Sequence, residues 1–477
     1  MLLKYKPTSH TVPMLDKIAL VLSTALNVTN AEILVDIITS FLTVPRAITT
    51  RSLARYSDRS ERSWFRFLSE EYDWIKARVA VFTQFCHDPN ATYFLAFDET
   101  MEGKVGKSTH GIGHFYNSII KIAQRGIGFG ACSLVNVETG VSYFIGLLQI
   151  IRTAEDKART AAKKEQEVAQ KKTAQARKKG EITPEKKPVG RKKGSKNKPK
   201  LVENVVETPS FRTFKALLTN SIKEIRRTMP KIKLQHIIGD NAYATLQYLN
   251  LAASLNLFLV SKLKRNTVLC LPYVPTTTPN QKAKRGAKRT YGDPIDNENP
   301  PADALKRTEI KDNIRHEYFQ FIGYAKGCFL KLKINIVILR STDLKTQKVS
   351  ILLFFSNDAT LTYQQIWDYY HLRFQIEFDF RDAKQHFGLS DFKNYTETNV
   401  TNFANLSFSM VLVSQILLPE YRTKTHKKKL SINDLKTIFN ARFNLKSFYI
   451  YAENDPTSIF NLESIAKFVP NHIINAA

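Results

Sequence analysis

Cysteine is scarce and scattered in this chain. Cys86, Cys132, Cys270 and Cys328 are the four present among 477 residues, with neither metal-ligand nor disulfide spacing, so they are expected to be reduced core residues. Long hydrophobic runs are missing as well: stretches such as Phe408 to Leu418 fall short of the roughly 20 residues that cross a bilayer. The opening MLLKYKPTSH lacks a signal-peptide core, and no basic amphipathic helix or lipidation motif offers a membrane anchor. Acidic residues are the last shortage. Against 43 Asp and Glu stand 71 Lys and Arg, a formal net charge of +28. A chain that is 43% hydrophobic can bury a real core, and a globular protein this basic is expected to meet nucleic acid. The expected location is cytoplasmic and nucleoid-associated.

Residues 1–89 read as a helical DNA-binding domain. Apolar residues recur at helical spacing from Leu15 to Leu42. In ITTRSLARYSDRSERSWFRFLSE, two helices flank a turn at Ser57 and Asp58, with Asp58 and Glu61 spaced as a capping box. The second helix is expected to set Arg59, Arg62 and Arg66 on one face and Trp64, Phe67 and Leu68 on the other, as in a helix-turn-helix whose second helix meets DNA, with a helical hairpin and solvated arginine face as the alternative. Residues 90–151 and 207–264 read as two parts of an α/β domain, with short buried strands at YFLAFDET and HIIGDNAY and a helix between them that starts at Pro209. Separating them, residues 152–206 read as a basic disordered or transiently helical insertion, with 18 Lys and Arg but 6 Asp and Glu between Arg152 and Lys200. Around Arg191, PVGRKKGSKNKPK is similar to an AT-hook, although a generic phosphate-binding tail fits as well. Residues 265–358 read as a β-rich insertion, 359–395 as a helical return to the α/β domain, and 396–477 as a helical C-terminal region.

The helix from about Tyr363 carries the chemistry. Its apolar stripe is Tyr369, Leu372, Ile376, Phe380, Ala383 and Phe387. Beside the stripe, Tyr370, Arg373, Glu377 and Lys384 share an arc, so a carboxylate is flanked by two cations and a phenol. A surface helix laced with ion pairs has the same spacing. Two further carboxylates, Asp98 and Asp240, end buried strands. Three carboxylates without a His or Cys cluster suit two Mg²⁺ ions, with Mn²⁺ a possible substitute, in phosphoryl transfer on a polyanion.

On these residues the chain resembles the DDE transposases of bacterial and archaeal insertion sequences, in particular the insertion-sequence-four family. Its Tyr-x2-Arg-x3-Glu-x6-Lys signature is matched by Tyr370, Arg373, Glu377 and Lys384, its second aspartate and following aromatic by Asp240 and Tyr243, and its first aspartate by Asp98. The resemblance implies an α/β, ribonuclease H-like catalytic domain with a β-rich insertion over about residues 90–395. It further implies metal binding and catalysis by Asp98, Asp240 and Glu377, DNA contacts by Tyr370, Arg373 and Lys384, and a homodimer acting on double-stranded DNA at element ends and target. The family's tryptophan in the β insertion is missing, since Trp64, Trp74 and Trp367 lie elsewhere. Tyr318, Phe319, Tyr324 and Phe329 are the aromatics placed to stack on a flipped base instead. A non-catalytic DNA-binding relic or repressor, and a nuclease that only hydrolyses DNA, remain as alternatives.

Overall fold

A computed structural model describes residues 13–117, 120–178, 207–274 and 289–454. The chain opens with α1 (Pro13–Leu26), α2 (Ala31–Thr43), α3 (Thr50–Arg55), α4 (Glu61–Leu68) and α5 (Trp74–Phe85), over the stretch expected to be helical. The turn between α3 and α4 falls where expected, but its cap is Ser60, whose side chain accepts the Ser63 N–H, and not Asp58. Trp64, Phe67 and Leu68 are buried while Arg62 and Arg66 are exposed. Arg59 precedes the helix, and its Nε donates to Asp36 of α2 at 2.6 Å, so it does not join the arginine face.

The sheet begins with β1 (Thr92–Gly103), β2 (Gly113–Asn117), β3 (Ile122–Asn136) and β4 (Ser142–Gln149), followed by α6 (Ala154–Lys178), α7 (Pro209–Thr228), β5 (Lys233–Ile238), α8 (Leu246–Ser254) and β6 (Phe258–Leu263). Antiparallel pairing joins β4, β3 and β1, whereas β5 and β6 add in parallel through the crossovers of α7 and α8. The strands of the β-rich stretch are β7 (Leu269–Pro272), β8 (Tyr291–Pro294), β9 (Leu305–Lys311), β10 (Ile314–Ala325), β11 (Ile334–Asp343) and β12 (Val349–Ser356). Because β12 pairs with β6, these strands extend the central sheet to 12 strands instead of standing apart from it. The chain continues with α9 (Tyr363–Leu372), α10 (Gln375–His386), α11 (Glu397–Thr425) and α12 (Ile432–Asn454).

Strand alternation sends side chains into two cores. From β1, Tyr93, Leu95 and Phe97 pack with α7 and α8, while Phe94 and Ala96 pack with the face under α9, α10 and α11. Helix α11 is long and apolar enough to cross a membrane, but 89% of its most apolar window is buried inside the protein, which is the setting of a core helix. Polar residues on it receive α5: Trp74 Nε1 donates to Asn402 Oδ1 at 2.7 Å, and the fully buried Arg78 donates to Asn405 Oδ1 at 2.8 Å, Ser409 Oγ at 3.2 Å and the Ile145 carbonyl at 2.7 Å. Arg78 thereby bolts the helical layer to β4 and α11.

One expectation narrows and another changes. Of the two readings of the basic stretch, disordered or transiently helical, the helical one holds over Ala154–Lys178: Ala, Lys, Glu and Gln favour helix without any core, Thr153 and Asp156 cap its start, and Asp156 is paired with Arg212 of α7. The AT-hook-like segment with Arg191 lies outside the described residues. The aromatics expected to stack on a base are all buried, with Tyr318 at 4%, Phe319 at 7%, Tyr324 at 6% and Phe329 at 1% exposure. They fill the core because β10 and its neighbours belong to the main sheet.

Replacing Arg78 with Leu is expected to strand the carbonyls and amides it serves, lowering stability by about 3 kcal/mol. Chemical denaturation compared with wild type checks this; an unchanged midpoint would contradict it.

Candidate active site

Register brings the two aspartates together. Parallel pairing of β1 with β5 stops at Ala96↔Ile238, and Asp98 and Asp240 each follow two residues later, so both reach the crevice at the carboxyl end of neighbouring parallel strands. Asp98 does not end its strand as expected, because β1 continues to Gly103 on its antiparallel side with β3. Immediately before Asp240, Gly239 leaves room for the Phe97 ring, which a Cβ would meet at 2.6 Å. Asp240 then opens a short 3₁₀ turn, Asn241–Tyr243, and its carbonyl accepts Ser261 Oγ of β6 at 2.9 Å.

The signature helix is broken. Residues Arg373 and Phe374 interrupt it between α9 and α10, with the Ile376 and Glu377 amides donating three residues back. Tyr370 therefore ends one helix while Glu377 begins the next. At the break, Arg373 turns inward with 8% of its side chain exposed; it donates to Asp98 Oδ2 at 2.7 Å and to Glu377 Oε1 at 3.3 Å. Tyr370 donates its hydroxyl to Asp240 Oδ1 at 2.9 Å, and the Arg373 guanidinium lies 5.5 Å from its ring centre. Tyr243 donates to Asp98 Oδ1 at 3.2 Å. Thus Asp98, Asp240, Tyr370, Arg373 and Glu377 form one constellation, and Tyr243 joins it as the aromatic after the second aspartate.

Lys384 stands apart. Its Nζ donates to the Met101 carbonyl at 2.9 Å and pairs with Glu102 at 2.9 Å. Four residues along β1 from Asp98 is about 13 Å, so Lys384 lies down the strand from the carboxylates. Arg62 and Arg66 lie on α4, and Arg59 pairs with Asp36; none of the three enters this constellation.

Burial lifts the Asp98 carboxyl above its ordinary range; Arg373 pulls it back and the charge of Asp240 lifts it again. Glu377 is raised for the same reasons, burial first, with Arg373 opposing and Asp98 and Asp240 adding. The Tyr370 phenol is pushed up by burial and then by Asp240, which keeps it a hydrogen-bond donor. The oxygen-only chemistry of these carboxylates fits a hard cation such as Mg²⁺ or Mn²⁺. Among the described residues, no group of three His, Cys, Asp or Glu side chains is gathered closely enough to hold an ion as it stands. Arg373 holds the charge balance between Asp98 and Glu377. Its Nε is buried and, among the described residues, has no acceptor.

One residue escaped the sequence reading. Asp379, fully buried on the face of α10 away from Glu377, accepts Ser133 Oγ at 2.8 Å and Ser142 Oγ at 2.6 Å, fastening α10 to both strands of the β3–β4 hairpin. Its place between buried Ile376 and Phe380 was the available signal, a carboxylate on an apolar stripe.

A mixed sheet with carboxylates at the crevice beside its parallel strands, flanked by helices, is consistent with a ribonuclease H-like nuclease domain. Residues 22–317 match the family described as DDE superfamily endonuclease. The match covers more than half of the chain, so the chain belongs to that family. It includes Asp98 and Asp240 and stops before Glu377. No curated protein matches the chain.

Burial pushes Asp379 up to about 7. Since its folded value lies above that of an unfolded aspartate, about 3.9, its contribution to stability is present at low pH and is lost as pH rises from about 4 through about 7. Asp379→Asn can still accept both serine hydroxyls without that charge. The variant is expected to gain stability relative to wild type at pH 8 and lose the advantage by pH 4. Thermal unfolding across this range checks it; a constant difference would contradict the assignment.

Proposed function

We propose that this DDE superfamily endonuclease is a cut-and-paste DNA transposase of the insertion-sequence-four type, cleaving element ends and joining their freed 3′-hydroxyls to target DNA. The observation that carries the reading is the convergence of Asp98, Asp240 and Glu377, with Arg373 bonded to Asp98 and Glu377 and the neighbouring Tyr370 bonded to Asp240. The family's endonuclease character implies a DNA substrate, and the net charge of +28 agrees with it. Asp98, Asp240 and Glu377 would hold two Mg²⁺ ions, or Mn²⁺ in their place, which when bound activate a water or 3′-hydroxyl and stabilise the leaving oxygen.

The remaining roles belong to side chains. Arg373, bonded to Asp98 and Glu377, offsets the charge of the carboxylates beside the scissile phosphate and so favours the approach of that phosphate. Tyr370 keeps its proton and donates to Asp240 or to a phosphate oxygen. Lys384, farther along β1, reaches the backbone of the duplex beyond the cut. The exposed Arg62 and Arg66 on α4 add sequence-independent phosphate contacts. A homodimer, one protomer for each end, works on nucleoid DNA in the cytoplasm. Among the aromatics first considered for base stacking, burial removes Tyr318, Phe319, Tyr324 and Phe329, so a flipped-base hairpin step is left out of this scheme.

The test is excision from a donor plasmid carrying the DNA that flanks the gene, in Mg²⁺ and in Mn²⁺. Wild type is expected to excise, and Glu377→Gln or Asp98→Ala to lower the rate by roughly a thousandfold, about 4 kcal/mol of barrier, with DNA binding retained. Cleavage by either variant with the metal dependence of wild type would overturn the site. Release of hydrolysed ends that never join target DNA would reduce the reading to that of a hydrolytic nuclease.

A further inference from the structure

Beyond the active site, β2 and β3 continue as a two-stranded ribbon. The pairing of β3 with β1 ends at Gly103↔Gly126, whereas β2 and β3 pair on from Gly113↔Gly126 to Asn117↔Ile122. A ribbon of two strands has no second layer to bury its side chains and is marginal by itself. Accordingly Tyr116 is 67% exposed and Ile122 60% exposed, a large apolar surface for so few residues.

Register decides which way this ribbon faces. Asp98 pairs with Ala131, and side chains two apart share a face, so Arg125 and Ala123 lie on the Asp98 side of β3. Cross-strand pairing with Arg125 and Ala123 puts His114 and Tyr116 on that side too. His114, Tyr116 and Ala123 are exposed, Arg125 is half-buried, and Lys121 is exposed at the turn. The crevice of the carboxylates and this strip are thus parts of one continuous sheet face.

Charge fits the same direction. From Gly103 to Val137 the sequence contains Lys104, Lys107, Lys121 and Arg125 and no Asp or Glu. The acids that bound this stretch are engaged elsewhere, Glu102 with Lys384 at 2.9 Å and Glu138 with the Thr92 amide at 3.0 Å. An exposed aromatic beside Lys121 and Arg125, which form no ion pair among the described residues, suits a duplex groove and its phosphates.

We infer that the β2–β3 ribbon is a DNA-binding arm that grips the duplex beside the cleaved phosphate, with Lys121 and Arg125 on its backbone and Tyr116 against its groove. This rests on the nuclease reading of Asp98, Asp240 and Glu377. From Asp98 to the Tyr116–Ala123 pair is eight strand positions, about 26 Å, or about eight base pairs.

The experiment measures binding of the full chain to 40-base-pair duplexes (~40) cut from DNA flanking the gene, in Ca²⁺ across a salt series, so that no cleavage is required. A Lys121→Gln/Arg125→Gln double variant is expected to bind at least about tenfold more weakly, with the slope of log affinity against log salt reduced by about 1.8. A photo-crosslinking phenylalanine analogue at Tyr116 is expected to label the duplex about eight base pairs from the cut, which tests the arm without removing any charge. Unchanged affinity and slope in the double variant, or no crosslink, would overturn the arm while leaving the active site untouched. A changed sedimentation coefficient with unchanged DNA binding would also overturn it, making the ribbon a surface between protein chains. Failure of wild type to bind any of the duplexes would instead overturn the DNA-processing reading itself.

Discussion

Three carboxylates crowd one crevice, and the guanidinium of Arg373 is what lets them remain there. It is bonded to Asp98 and to Glu377, and it lies nearly out of reach of water. Without it, burial and repulsion would drive Asp98 and Glu377 further toward protonation and so away from any role as metal ligands. Arg373 sits at the break between α9 and α10, from where it reaches both acids.

The rest of the architecture can be understood as fixing the partners of that cation. Asp98 and Asp240 gain their places from parallel strand register, two residues past a shared last pair. Glu377 gains its place from α10, which Asp379 ties to Ser133 and Ser142. Beneath α10, α11 crosses the protein as a buried helix and accepts Trp74 and Arg78 from the N-terminal layer. The helical layer, including α4 with Arg62 and Arg66, is therefore not loosely hung on the sheet but packed into its core.

Much of this was legible from the sequence because it depends on local pattern. Apolar runs set Asp98 and Asp240 on or just after buried strands, although β1 runs on past Asp98, and helical spacing grouped Tyr370, Arg373 and Glu377. What local pattern does not carry is long-range pairing. Lys384 shares the arc of Glu377 on paper, yet it belongs to Glu102, because α10 runs along β1 and its later residues meet later strand residues. Tyr318 and Phe319 read as available aromatics until β12 is seen to pair with β6, which draws their strand into the central sheet and buries them. The tract from Ala154 to Lys178 lacks an apolar stripe and so reads as disordered or transiently helical, but helix propensity and one buried aspartate at its base are enough to shape it.

The most direct test of a single three-carboxylate site is Mn²⁺ binding followed by electron paramagnetic resonance, in wild type and in Asp98→Ala, Asp240→Ala and Glu377→Gln. This reads the site without asking the protein to cut anything. If the account is right, wild type binds Mn²⁺ and each substitution weakens binding by about tenfold or more. Equal Mn²⁺ binding in all four proteins would mean that these carboxylates do not form a metal site, and the central claim would fall.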